Sequence, residues 1–582
     1  MKIKEKLNKL IKESIRIIYI ASDEQRGDIF DKVMVEEPND KNHGDYSFPV
    51  MKISPTFLNS KRNAKKMGVS EVMKGEEDPR KTAELIKSEI EKNKPEWLER
   101  VEIAGPGFIN FFLSKEYFAS SLRSANIEVE SLKGENIFVE HTQPNPFKEF
   151  HIGHLMNNVI GEAISRILKV NGATVKTATY HGDVGLHVAK AIWAVLNYNL
   201  DKVELVNGQA YAKGNNAYEE REEVKKEILE INKKIYDRSD EKINELYDEG
   251  RKKSFENFER LYGRLGSKFD FHFYESESGE IGKDIVLKKK DEGVFEESDG
   301  AVVFKGEKYG LHTRVFLNKE GLPTYEAKEV GLAKIKKDSF SYDKSVTVTA
   351  NEQDSFFDVV EKAIGDVYPD LSGVLNHISH GMLKLPSGKM SSRTGNVITA
   401  ESLVDIVKEK VVEVVKERGF TKEESEEVSE KVALAALRYS ILRGAIGGDI
   451  IFDIEKSISF EGDSGPYLQY AHTRAKSVLE KAKQEGVDMN FDLPVGWESV
   501  NLERLIVRFP EIVERAGREY APHLLVTYLT ELAGEFNSWY GREKIVDLND
   551  LSSGYKLAIT QSFANVMERG LWLLGIEIAK KM

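Results

Sequence analysis

Residues 144–155 read PNPFKEFHIGHL, with His151 and His154 three apart, Gly153 between them and Lys148 just upstream. Two imidazoles and an ammonium at this spacing could meet the negative charge that builds on a polyphosphate during phosphoryl or nucleotidyl transfer. Glycine beside them would let a ligand approach the backbone closely. A metal shell is the rival reading, because five of the chain's 12 histidines fall between His141 and His187. No spacing there repeats a common zinc-helix motif, and a lysine among the ligands would repel a cation. A turn in which the histidines only hold the backbone is the third reading. A second cluster, KLPSGKMSSRTGNV at 384–397, supplies Lys389, Ser391, Ser392, Arg393 and Thr394 on a glycine-containing loop. Donors on a loop of this kind can cover phosphates, and the pair of clusters favours the phosphate reading.

The elements that must position these residues follow from periodicity. ENIFVEHTQ (135–143) is a β-rich run, and the helix after it repeats Leu155, Val159, Ile160, Ala163, Ile164, Ile167 and Leu168 at helical spacing. Asn171-Gly172 stops that helix, and ATVKTATYHGD is a second strand. Strand, helix and strand of this length form a βαβ unit, so a doubly wound parallel sheet is expected. In such sheets ligands bind beyond the carboxyl ends of the strands, against helix N-termini, where His151 and His154 fall.

Residues 1–125 mix helical periodicity with short strands, and AGPGFINFFLS reads as a turn followed by a strand. A charged helical insertion is expected near 200–310, most simply as a solvated helical pair. Strand signals return at GAVVFK, TRVFL and KSVTVTA, and from about 400 the chain is almost wholly helical. Three blocks result: an α+β domain at 1–125, an α/β domain at 126–400, and a helical linker with an α-bundle at 401–582.

With 582 residues the chain exceeds what one core supports. It has no cysteine, which excludes disulfides, thiol catalysis and thiolate metal sites. The lysine-studded N-terminus lacks the apolar run of a secretory signal, and nothing resembles a membrane span, so a cytoplasmic protein is expected. A formal net charge of −13 means that any nucleic acid must be met by local patches.

HIGH at 151–154 followed by KMSSR at 389–393 resembles the two signatures of class I aminoacyl-tRNA synthetases. The flanks VEHTQPNPFKEFHIGHL, LPTYEAKEVGLA, GPYLQYAHTRAKSVL and GLWLLGIEIAKKM resemble blocks of the arginyl-tRNA synthetases, and NHGDYSFPV and AGPGFINFFLS resemble that family's additional N-terminal, tRNA-elbow domain. The resemblance covers essentially the whole chain. It implies a class I Rossmann-like catalytic sheet, an anticodon-binding α-bundle, and ATP-dependent joining of L-arginine to the 3′ end of tRNA(Arg). It also implies ATP with Mg²⁺ carried on its phosphates, no protein-ligated metal, and a monomer.

Carried over by position, the resemblance assigns His151, His154, Lys148 and Lys389 to catalysis. ATP would be held by His151, Gly153, His154, Lys389, Met390, Ser391, Ser392 and Arg393. Arginine would be held by Glu140, Gln143, Asn145, His151, Tyr325, Glu329 and Gln353. The expected tRNA contacts are Tyr470, Arg474, Arg438, Arg443 and Tyr540, with Asn110 at the elbow domain. Glu329 stands where the family usually has aspartate, Gln143 where it has serine, and Ser392 where its signature has a second lysine. Tyr325 could instead pack on the sheet, and Tyr467 and Tyr470 could be bundle core. Two other functions compete: a catalytically silent tRNA-binding relative, and a synthetase for cysteine or a branched aliphatic amino acid.

Overall fold

In the computed structural model, residues 3–18, 29–38, 40–53, 78–123, 129–198, 200, 205–206, 208–386, 398–416 and 419–579 are described. Their contacts group into two units, Met1–Ala125 with Val478–Arg508 and Trp539–Phe563, and Asn126–Ser477 with Phe509–Ser538 and Ala564–Met582.

The first unit contains a three-stranded antiparallel sheet of β1 (Tyr46–Pro49), β2 (Leu98–Ala104) and β3 (Phe108–Leu113), in the order β1-β3-β2. The turn-then-strand reading of AGPGFINFFLS corresponds to the β2–β3 hairpin. Its Gly107 has φ +125, and a Cβ there would lie 2.9 Å from Pro79 backbone, so glycine is required. Helices Ile3–Ile18 and Pro79–Lys92 pack Leu7, Ile11, Ile15 and Ile86 on the same core as Phe48 and Phe111. Arg504 meets Asp45 at 2.6 Å, and Glu503 accepts a hydrogen bond from Tyr555. The C-terminal helices Asn501–Arg518, Pro522–Arg542 and Ser553–Leu573 therefore divide between the two units, where one separate bundle was expected.

In the second unit, five parallel strands lie in the order β11-β10-β4-β5-β6: Leu375–His380, Lys344–Ala350, Asn136–Glu140, Thr174–His181 and Phe271–Tyr274. From β4 the chain winds one way to β5 and β6, then returns on the other side as β10 and β11. The order thus reverses between β4 and β10, and the crevice beyond their carboxyl ends is the place where doubly wound sheets bind ligands. The helix Ile152–Val170 joins β4 to β5 with Leu155, Val159, Ile160, Ala163, Ile164, Ile167 and Leu168 all buried, as its spacing predicts.

The block 200–310 differs from expectation in two ways. It holds β6, a four-residue strand of the parallel sheet, and two short strands, β7 (Glu296–Ser298) and β8 (Ala301–Phe304), that pair with β9 (Arg314–Leu317). Its helices are also not merely solvated. Val224, Ile228, Ile231, Ile235, Ile243, Leu246 and Tyr247 form a buried stripe against Phe147 of the histidine segment and the helix Leu186–Tyr198. Among the described residues no helix is long and apolar enough to cross a membrane.

Candidate active site

The chain leaves β4 at Glu140 and reaches the helix start at Ile152 through a loop in which Thr142, Gln143 and Phe147 have positive φ. Left-handed backbone at three non-glycine residues is strained by about 1 kcal/mol or more each, so the surroundings must hold it. His154 Nδ1 donates to the Thr142 carbonyl at 2.9 Å, and Asn158 donates to the Thr142 hydroxyl. His181 Nδ1 donates to Pro144 O at 2.9 Å, and Gly182 N donates to Asn145 Oδ1. Phe147 is fully buried, donates its N–H to Ser254 and stacks on Tyr247. A Cβ at Gly250 would fall 2.3 Å from the Phe147 ring, so the inserted helices are cut to fit this loop.

His151 caps the helix Ile152–Val170, its Nδ1 accepting from Gly153 N at 3.1 Å. Its ring stacks on His154 with centroids 3.8 Å apart. Gly153 allows this fold-back, because a Cβ there would lie 2.9 Å from His151 Cε1. His151 as a residue is exposed. The protein around it nevertheless pushes its pKa down to about 4, first by desolvation and then through the Lys148 charge. His154 is held well below its ordinary value by burial and by His151. Lys148 is lowered too, by burial and by Lys190, and its ammonium lies 4.7 Å over the Tyr211 ring. Two imidazoles held neutral and a lysine whose pKa is lowered thus stand together at a helix start. An arriving polyanion would supply the missing compensation.

The remaining histidines of this stretch build the loop. His141 Nδ1 bonds the Thr142 hydroxyl, His181 bonds Pro144 O, and His187 Nε2 donates to Gly182 O. Each spends a ring nitrogen on the backbone or a hydroxyl, which is the structural reading for these three.

On the other side of the β4 end, Glu140 is only 2 % exposed. Its carboxylate meets Lys336 at 2.5 Å and accepts from Gln143 Nε2 at 3.0 Å. Gln143 Oε1 in turn accepts from Asn157, whose Oδ1 is 2.5 Å from His380 Nε2. Glu140, expected as a direct arginine ligand, is therefore already paired. Glu329 differs. It projects from the helix Tyr325–Ser339 with no cation within 4 Å among the described residues. Its pKa is raised to about 8, by burial first and the Glu140 charge second. Tyr325 opens the same helix and is 61 % exposed, so it does not pack on the sheet. Gln353 lies exposed in the turn after β10, on the same edge of the sheet as the β4 end.

Close helix packing sets these positions. A Cβ on Gly282 would lie 1.9 Å from Ala327 O, and one on Gly331 would lie 1.9 Å from Ser278 O. The helices Glu275–Asp291 and Tyr325–Ser339 therefore touch backbone to backbone, clamped by the buried Lys328–Glu275 pair at 2.6 Å. Lys336, Asn157, His380, Lys328 and Glu275 were not singled out from sequence. Lys336 had one available signal, its two-turn spacing from Glu329.

Lys389, Met390, Ser391, Ser392 and Arg393 lie outside the described residues. Just after them Thr399 forms a β-bridge with His151, and Ala400 N donates to Phe150 O at 2.9 Å. Two expected RNA contacts are corrected. Arg438 is 2 % exposed, its guanidinium donates to the Leu265 carbonyl, and burial lowers its pKa to about 10, so it cannot reach a phosphate. Asn110 is 3 % exposed and accepts from Ser47 Oγ at 2.7 Å inside the β1–β3 pair. Tyr470 is half-buried, edge-on to Phe460 and accepting from Arg474, which also bonds Asn537. Arg443 and Tyr540 are exposed.

The geometry can be set beside known proteins. Residues 119–454 match the family model described as tRNA synthetases class I (R), catalytic domain. Residues 468–582 match the DALR anticodon binding domain, and 2–113 the arginyl tRNA synthetase N terminal domain. The arginine–tRNA ligase of Borrelia hermsii is 29% identical over 100% of both chains. That of Fusobacterium nucleatum is 31% identical over 87% of this chain and 90% of its own. The solved Thermus thermophilus and Plasmodium falciparum arginyl-tRNA synthetases align over 100% of each chain with TM-scores of 0.76 and 0.78, at 22% and 20% identity. Sequence and fold agree across three domains, and the chain belongs to the class I arginyl-tRNA synthetase family.

Proposed function

We infer that the chain is an arginine–tRNA ligase that activates L-arginine with ATP and transfers it to the 3′ end of tRNA(Arg). The observation that carries this reading is the crevice at the sheet's reversal. His151, His154 and Lys148, each with its pKa lowered by burial, stand on one side of the β4 end, and the unpaired carboxylate of Glu329 beside Tyr325 stands on the other. The first set suits a triphosphate, and Mg²⁺ would arrive on that triphosphate. The second suits a guanidinium, whose planar donors reward a carboxylate and an aromatic edge more than an ammonium does. Asn145 and Gln353 would orient the α-amino and carboxylate ends, and Lys389 with its neighbours would close over the phosphates. A monomer working in the cytoplasm is part of this reading.

ATP–pyrophosphate exchange with each amino acid, with and without tRNA, tests it. Exchange should appear with arginine alone among the amino acids. Exchange with none in the presence of tRNA(Arg), while that tRNA still binds, would identify a silent relative.

For the RNA, the described candidates are Arg443, Arg474, Tyr470 and Tyr540, with 430–582 toward the anticodon stem and loop and 1–125 toward the elbow. At a net charge of −13 the contacts must be local, so affinity should fall steeply with salt. Tyr470→Ala should weaken tRNA binding by about 1–3 kcal/mol if a base stacks on the ring. A folded variant with a normal KM for tRNA would make Tyr470 a prop for Arg474 and nothing more.

A further inference from the structure

Lys336, the ion-pair partner of Glu140, has no part in the assignments above. Lys336 lies two turns along the same helix, its side chain 5 % exposed, and its ammonium meets the Glu140 carboxylate, which is 3 % exposed. The neighbouring Lys337, by contrast, pairs with Asp370 at a surface where its side chain is 42 % exposed. A small cavity of about 20 Å³ has Glu329, Lys336, Thr347, Glu361 and Asn376 in its lining, so the two helix residues border one space. Burying a lysine costs several kcal/mol unless its partner is well placed. Here Gln143 fixes the partner from the other side, and Asn157 and His380 fix Gln143.

We propose that Lys336 is a positioning residue of the arginine site, its ammonium holding Glu140 as an ion pair so that Glu329 is the single carboxylate left to receive the guanidinium. The three groups then sum to one negative charge, matched to one guanidinium. Without Lys336, two carboxylates would share a pocket and one would hold a proton. With Lys336 but without Glu140, the ammonium would be freed to turn on Glu329. The charged groups that act on Glu329 are Glu140 from β4, Lys336 and Glu326 from its own helix, and Glu275 from the helix Glu275–Asp291. Glu361, from the helix Asp354–Val367, lines the shared cavity. Lys336 itself stays charged despite burial, because Glu140 and then Glu329 hold its pKa above the ordinary lysine value.

The inference rests on the arginine-pocket reading, and the test separates the two. The pH dependence of kcat/KM for arginine is measured by pyrophosphate exchange on the full chain. The variants are Lys336→Met, Glu140→Gln, the double change and Lys336→Arg, with KM for ATP and thermal unfolding measured alongside. Lys336→Met should cut kcat/KM for arginine by about tenfold or more and move its acid limb to higher pH, because the cation that favours ionised Glu329 is gone. Glu140→Gln should move the limb to lower pH. The double variant should return it toward the parent's position, Lys336→Arg should keep it there, and KM for ATP should stay within about twofold throughout. Limbs that coincide with the parent's, or that move the same way in both single variants, would overturn the proposal, as would equal losses for ATP and arginine. Should one single variant fail to fold, the other and the double variant still decide the direction. Glu329→Gln is the control. If it leaves arginine alone, the pocket reading has failed, whereas loss there with unmoved limbs elsewhere fails Lys336 only.

Discussion

His154→Ala should slow formation of the arginyl-adenylate by about 10²-fold or more, the usual scale for a lost transition-state donor, with a much smaller effect on arginine binding. The geometry explains both halves. His154 is 6 % exposed and spends Nδ1–H on the Thr142 carbonyl, so only Nε2 is left to face a ligand. Burial and the stacked His151 keep the ring neutral, and a neutral ring in that tautomer offers an acceptor at Nε2. Negative charge on the triphosphate favours the imidazolium, which turns Nε2 into a donor at the moment charge develops on the leaving pyrophosphate. Single-turnover adenylation measures this directly. The substitution also frees Thr142, whose φ is +80, so thermal unfolding should be followed in parallel. A folded variant with an unchanged single-turnover rate would return this segment to a purely structural role.

Much of this was legible in the residues, and what was not has physical reasons. The βαβ unit showed because the helix Ile152–Val170 buries one continuous apolar face, and PNPFKEFHIGHL showed because its chemistry is concentrated at a strand end. β6 was missed because FHFY is four residues long inside a charged stretch, too short to display alternation. The insertion read as solvated because its apolar stripe is narrow, and periodicity cannot say that Phe147 waits beneath it. The left-handed turns at Thr142, Gln143 and Phe147 carry no glycine or Asn-Gly signal, since tertiary hydrogen bonds impose them. Charged residues misled in both directions. Arg438 in the helical run VALAALRYSI, within Lys422–Leu442, reads as a cation free for phosphate but points inward to the Leu265 carbonyl. Lys336 in IKKDS reads as surface yet is buried on Glu140, because only the fold brings β4 beside that turn of helix.

With Glu140 paired to Lys336, Glu329 is the proposed principal anchor of the guanidinium, so Glu329→Gln should weaken arginine by about 2–4 kcal/mol, roughly 30- to 1,000-fold in Kd. ATP affinity should barely change, since His151, His154 and Lys148, the residues proposed for the triphosphate, lie on the other side of the β4 end. The affinity should also carry a pH signature. Burial and the Glu140 charge raise the Glu329 carboxyl to about 8, so near neutral pH it holds a proton in the free enzyme. A bound guanidinium favours the carboxylate, so arginine must displace that proton. Affinity should therefore rise with pH up to about 8 and level off above it, and calorimetry in buffers of different ionisation enthalpy should detect proton release. Glutamine has nothing to release, and the variant's arginine affinity should lose this slope while keeping Tyr325 in place. The added methylene of Glu329 relative to the family's usual aspartate makes the experiment a test of contact as well as charge. A Kd within a factor of two of the parent's, with the slope intact, would move guanidinium recognition to Glu326 or to a re-paired Glu140.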